Sequence, residues 1–170
     1  MQIVVFSKVL KEKDIPHVQH LFDVLHEEGI NSYVFGPYLE QLKGKDDLKR
    51  DVGVIENHLD FTVKKIDFCL TLGGHGTILD ALTYVRGSEV PILGINLGRL
   101  GFLASIEKTK IAQAIQIIKR GMYYIDERDM LYLESNLPVF QDIPFALNDC
   151  TLLMRETSSM ITIHTFINGS

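Results

Sequence analysis

The chain has 170 residues, 46% of them apolar, 23% charged and 9% aromatic, which excludes a disordered, collagen-like or low-complexity polymer. A chain of this length buries roughly two-thirds of its unfolded surface, so it needs neither metal nor disulfide staples. Its 17 Lys and Arg stand against 22 Asp and Glu, a formal charge of -5, and nonspecific binding to nucleic acid or an anionic membrane requires the opposite balance.

The N-terminal residues MQIVVFSKVL lack a charged region ahead of an apolar core and a cleavage site after it. They read as a first strand, Gln2–Phe6, rather than a signal peptide. Nowhere does an apolar run approach the length of a membrane span. A helical period follows, with Ile15, Val18, Leu21, Phe22 and Leu25 on one face and Pro16 in the first turn. Gly29 sits where a C-cap glycine belongs. Asn31–Phe35 reads as a second strand, residues 36–60 as an irregular connection with one short helix, and Phe61–Ile66 as a third strand.

The clearest unit comes next. Asp67–Leu72 is a compact apolar strand, Gly73, Gly74 and Gly76 make an abrupt turn, and Ile78, Leu79, Leu82 and Val85 mark a helix face. After a break at Gly87–Glu89, Pro91–Asn96 is another buried-type strand. This strand–turn–helix–strand order is the sequence form of a parallel βαβ crossover. A second glycine-rich loop, Leu97–Phe102, precedes a helix outlined by Ile111, Ala114, Ile115 and Ile118 and ending at Gly121. Beyond residue 125 the texture becomes strand-like, at Met130–Glu134, Phe145–Met154 and Met160–Asn168. The expected organisation is therefore an α/β domain with a parallel sheet over residues 1–125. The start of an antiparallel β-sandwich domain follows over residues 126–170, left unfinished at a turn signal. Cys69 and Cys150, both in apolar stretches, are expected to be buried free thiols, which places the chain in a reducing cytoplasm.

Three segments carry chemistry. Gly73-Gly74-His75-Gly76-Thr77 joins a strand to a helix. Glycines there admit a ligand close to the backbone, and the helix start offers unpaired N–H groups to phosphate. The same turn equally suits a tight bend with no ligand. It matches neither the Walker A pattern nor GxGxxG. The second segment, Gly94-Ile95-Asn96-Leu97-Gly98-Arg99-Leu100-Gly101-Phe102-Leu103, follows the next parallel strand, so both turns fall on the rim where open α/β sheets bind ligands. Phe102 suits stacking on a base and Arg99 a phosphate contact; a core aromatic and a solvated charge are the plainer readings. The third, Asn148-Asp149, offers an amide and a carboxylate to ribose hydroxyls, or is simply a turn. Six scattered histidines show no metal-ligand spacing.

Taken together, the three segments resemble the NAD kinase family, which makes NADP from NAD with ATP or polyphosphate. That family's Gly-Gly-Asp-Gly-Thr turn corresponds to Gly73–Thr77, with His75 in the Asp position. LGINLGRLGFL (Leu93–Leu103) and the Asn148-Asp149 pair match its second and third blocks. The resemblance implies His75 as the catalytic position. It implies nucleotide contacts at Gly74, Gly76, Thr77, Asn96, Phe102, Asn148, Asp149 and Ser159, and Mg²⁺ or another divalent cation accompanying the donor. It also implies a β domain truncated here, catalysis impaired by His75, small-molecule nucleotides as partners, and a homo-oligomer. A catalytically inactive nucleotide-binding module is the other reading, and a lipid or sugar kinase sharing the glycine turn is a third.

Overall fold

The computed structural model describes residues 1–45, 51–98, 103–104, 106–137, 139–140, 142–153, 160 and 162–169. They form two compact units, 1–126 and 127–170. In the first, β1 (Gln2–Phe6), β2 (Asn31–Phe35), β3 (Gly53–Ile55), β4 (Phe68–Leu72), β5 (Ile92–Asn96) and β6 (Ile106–Glu107) make one sheet. Its strand order is β3-β2-β1-β4-β5-β6, and every pairing is parallel. The two middle strands are apolar on both faces, as a sheet covered on both sides requires. All five residues of β4 are buried, and so are Ile3, Val4, Val5 and Phe6 of β1.

The helices are α1 (Ile15–Glu27), α2 (Gly36–Leu42), α3 (Leu59–Val63), α4 (His75–Val85) and α5 (Ile111–Lys119). Along α1, Val18, Leu21, Phe22 and Leu25 are buried. Pro16 occupies the first turn, and Gly29 takes φ +65° just past the end, the left-handed conformation that a glycine adopts without a Cβ penalty. Helix α1 packs against α5, α2 against β2 and β3, and α4 against β4 and β5.

Two expectations in this unit are corrected. Phe61–Ile66 does not form a strand, because α3 covers residues 59–63. Thr62 and Val63 favour a strand on propensity alone, yet local side chains start a helix. The Asp60 carboxylate accepts the backbone N–H of Glu56 (2.7 Å) and Asn57 (3.3 Å), and Asn57 Oδ1 accepts that of Leu59 (3.0 Å). Those amide donors hold the Asp60 carboxyl below its usual range. The third strand is instead Gly53–Ile55, three residues pairing with β2 inside the segment expected to be irregular.

The described residues of the second unit contain one antiparallel pair, β7 (Leu131–Tyr132) with β8 (Phe145–Ala146). Both strands are shorter than expected. Met160 and residues 162–167 form no strand. Their alternating pattern has no neighbouring strand to satisfy its backbone among the described residues, and Met160, Phe166 and Ile167 are exposed. No helix among the described residues is long and apolar enough to cross a membrane.

Cys69 is fully buried in β4, but Cys150 is exposed, contrary to expectation. Burial pushes the Cys69 thiol up to about 12. In the unfolded chain a thiol loses its proton near pH 8.5, so the unfolded state binds fewer protons over that interval and stability falls as pH rises through it. A thiol reagent is thus expected to label one cysteine of the native chain at once and the second only on unfolding. Denaturant midpoints should be flat below about pH 8.5 with respect to this group and decline above it. Immediate labelling of both thiols contradicts the burial.

Candidate functional site

In this sheet, β1 is followed by β2 on one side, and the chain later returns to place β4 on the other. The connections leaving the carboxyl ends of β1 and β4 therefore run in opposite directions and open a crevice, the place where open α/β sheets bind ligands. A cleft of about 370 Å³ occupies this position. Its walls are Ser7–Val9, Lys11, Lys13 and Asp14 after β1, Leu72–Gly74 and Thr77 after β4, and Asn96–Gly98 after β5.

The wall after β4 is the first glycine turn. Gly74 is the N-cap of α4, and no side chain caps the helix. The Thr77 N–H is taken by the Gly74 carbonyl at 3.1 Å, and the dipole of α4 adds partial positive charge at this uncapped end. A Cβ added at Gly74 or Gly76 would meet nothing within 4 Å. Neither residue has a positive φ. The protein's own packing does not require glycine at either position, and what the missing side chains leave is open room above the backbone. Gly94 differs, since a Cβ there would lie 2.6 Å from Ile78 Cδ1 and 2.8 Å from the Ala104 Cα. It is glycine so that α4 and the 103–104 segment can close onto β5.

The wall after β5 is shaped by Asn96. Its buried side chain accepts the Gly98 N–H at Oδ1 (2.8 Å), folding the start of the second turn. The two turns are tied together by His75, whose Nε2 accepts the Leu103 backbone N–H at 3.0 Å. An imidazole that accepts at Nε2 carries its proton on Nδ1. His75 thus braces one turn against the other.

The wall after β1 is the part the sequence reading missed. Lys8, Lys11 and Lys13 bring three cations to the cleft of an acidic chain. Lys8 also pairs with Asp80 of α4 at 2.7 Å. The loop is held by Gln41 of α2, whose Oε1 accepts the Leu10 N–H (2.9 Å) and whose Nε2 donates to the Lys8 carbonyl (2.7 Å). At the base of the cleft, Ser7 Oγ donates to the Leu72 carbonyl at 2.8 Å, joining the ends of β1 and β4. The usable signal was three lysines within six residues directly after the first strand of an acidic α/β chain.

Of the residues expected at the site, Gly74, Thr77 and Asn96 line the cleft; Gly76 and His75 belong to the same turn. Phe102, Arg99 and Ser159 lie outside the described residues. Asn148 and Asp149 are exposed, just after β8 in the second unit, where Asp149 accepts the Thr151 hydroxyl at 2.8 Å. A second and larger hollow, about 690 Å³, opens among Phe22, Asn31, Tyr33 and Gly53 at the opposite, amino-end rim. It holds none of these residues.

Residues 3–123 match the family model described as the ATP-NAD kinase N-terminal domain. Among curated proteins, the NAD kinase of Cytophaga hutchinsonii is 34% identical over 167 residues, which is 96% of this chain and 56% of that protein. The NAD kinase of Bacteroides fragilis is 35% identical over 172 residues, 100% and 58% of the respective chains. The chain thus spans somewhat more than half the length of these relatives. A solved structure of yeast NADH kinase complexed with NADH superposes with a TM-score of 0.57 at 22% identity, covering 69% of this chain and 35% of that one. At that identity the likeness concerns the fold.

The glycines make a direct test of what each is for. Gly94→Ala should lower stability by about 1–3 kcal/mol through overpacking. Gly76→Ala, in the first turn of α4 with open space above it, should leave stability unchanged or raise it by up to about 1 kcal/mol. Denaturant midpoints of the two variants distinguish these outcomes, and equal losses would contradict the assignment of open space at Gly76.

Proposed function

The chain belongs to the NAD kinase family, and on that premise we propose that its cleft holds the phosphates of ATP or polyphosphate for transfer of the terminal phosphoryl to the adenosine ribose 2′-hydroxyl of NAD, giving NADP. One observation carries the reading. An uncapped helix start, two glycines that packing does not require, and three lysines share one cleft at the switch point of the sheet. Phosphoryl transfer asks a protein chiefly for positioning and for neutralisation of charge, and this cleft offers both. Gly74, Gly76 and Thr77 would meet phosphate oxygens through backbone N–H groups and a hydroxyl, with the lysines at the rim. Asn96 would act by fixing the second turn. Phe102, Asn148, Asp149 and Ser159 are proposed as nucleoside contacts on the family resemblance alone. A divalent cation carried on the donor would neutralise charge on the transferring group.

His75 limits the reaction. A base must receive the hydroxyl proton on a lone pair within hydrogen-bond reach. The Nε2 lone pair already accepts the Leu103 N–H, and the proton on Nδ1 makes that nitrogen a donor. Taking up a substrate proton therefore costs the brace between the two turns. A carboxylate in this position has two oxygens and several lone pairs, so it could keep such a brace and still accept. This bond favours slow transfer, and it also favours the second reading, a module that binds nucleotide without turning it over.

Titration with NAD, ATP and polyphosphate, followed by an NADP assay with each donor, separates the readings. Donor binding is expected to weaken with ionic strength, because lysine–phosphate attraction at an exposed rim is screened. Lys11→Ala with Lys13→Ala should weaken it further. His75→Asp is expected to raise NADP formation by about 10²–10⁴, the usual worth of a general base. Binding with no product from either protein supports the module. Absence of donor binding in all conditions overturns the cleft assignment.

A further inference from the structure

Asp14 also lines the cleft, at the end of the loop after β1. It closes the short 3₁₀ helix Glu12–Asp14 and precedes α1, yet its side chain does not cap that helix. It is 95% buried (5% exposed), and it is the sole buried carboxylate among the described residues. Oδ1 is enclosed and has no hydrogen-bond partner. Lys11 and Lys13 line the same cleft, but neither forms an ion pair with it among the described residues. Facing it from α2 is Tyr38, fully buried, whose hydroxyl is likewise without a partner. Burial and the negative charge of Asp14 hold the Tyr38 phenol above its usual range, outweighing the Ser7 hydroxyl nearby. A buried carboxylate without a counter-charge is among the more costly arrangements a fold can keep.

Its position sharpens the problem. A carboxylate in the wall of a phosphate cleft repels the ligand that the lysines attract. The arrangement is coherent when a cation lies between carboxylate and phosphate. We propose that Asp14 is the carboxylate ligand of a divalent cation that enters with the polyphosphate bound in this cleft. The inference rests on the phosphate reading given above and adds the residue that meets the metal.

The chemistry fits a small, hard cation. Mg²⁺ is held through one or two carboxylates together with substrate phosphates and water rather than in an all-protein cage. No group of three or more His, Cys, Asp or Glu side chains among the described residues could hold a metal unaided. Protein and phosphate must therefore share the ion. His75 offers no anionic oxygen, and its Nε2 is engaged with Leu103. Asp14 supplies what the first turn lacks, from the loop after β1.

Calorimetric titration of the 170-residue chain with ATP, in Mg²⁺ and in EDTA, tests this without any need for turnover. ATP is expected to bind at least about tenfold tighter in Mg²⁺, within the range usual for coupled ligands. Mg²⁺ alone should bind weakly. In Asp14→Asn, which keeps the shape and removes the charge, that ratio should fall to about one as ATP in EDTA binds more tightly than to the parent chain. Tyr38→Phe, which alters the same buried cluster but not the ligand, should keep the parent ratio. Equal affinity in Mg²⁺ and EDTA for the parent chain overturns the proposal, as does an unchanged ratio in Asp14→Asn. No ATP binding in either buffer overturns the phosphate reading itself, so the two failures are distinguishable.

Discussion

The reversal of strand order between β1 and β4 is the constraint on which the rest depends. In a sheet that grew in one direction, each connection would cover the end of the strand before it. Here two neighbouring strands send their chains to opposite sides, and the gap between them cannot be closed by either. The Ser7 hydroxyl bound to the Leu72 carbonyl holds the two strand ends together at the base of that gap. Three loops then reach the same rim from three places in the sequence. The cleft is a product of topology before it is a product of side chains.

Charge is distributed to suit that topology. The chain as a whole carries more acid than base, yet the loop after β1 brings three lysines to one opening. Local cations on a globally acidic surface favour a compact polyanion over an extended one, since a nucleic acid strand would meet repulsion beyond the cleft. The uncapped start of α4 adds fixed partial charge that needs no counter-ion and no side-chain ordering. Loss of side-chain freedom on binding is then confined to the lysines.

How much of this was legible in the sequence differs by kind of signal. The long periodic elements were. Gln2–Phe6, the helix face from Val18 to Leu25, and the strand–turn–helix running from Phe68 to Val85 all appear where their patterns put them. Gly53–Ile55 escaped because three residues show no period. Phe61–Ile66 misled because β-branched side chains outvoted the Asp60 and Asn57 contacts that start α3, contacts that exist only once the chain has turned. In the second unit, alternation at residues 162–167 gave the look of a strand, but alternation describes two faces and cannot supply a neighbour. At the cleft, glycine-rich turns stand out in a sequence, whereas Lys8–Asp14 has neither a period nor a glycine turn to single it out. Its relevance depends on β4 lying beside β1, sixty residues away.

Gln41 gives this architecture a further property. Its amide takes the part of an extra peptide group for the loop after β1, donating to one backbone position and accepting from another. The lysines are thereby aimed from α2, an element that lines no part of the cleft. Substitutions along α2 could shift the spacing of the cations while every lining residue stays the same. On the proposed phosphate reading, preference for one length of phosphate chain over another would be separable from the transfer chemistry, and a designer could tune the first without disturbing the second.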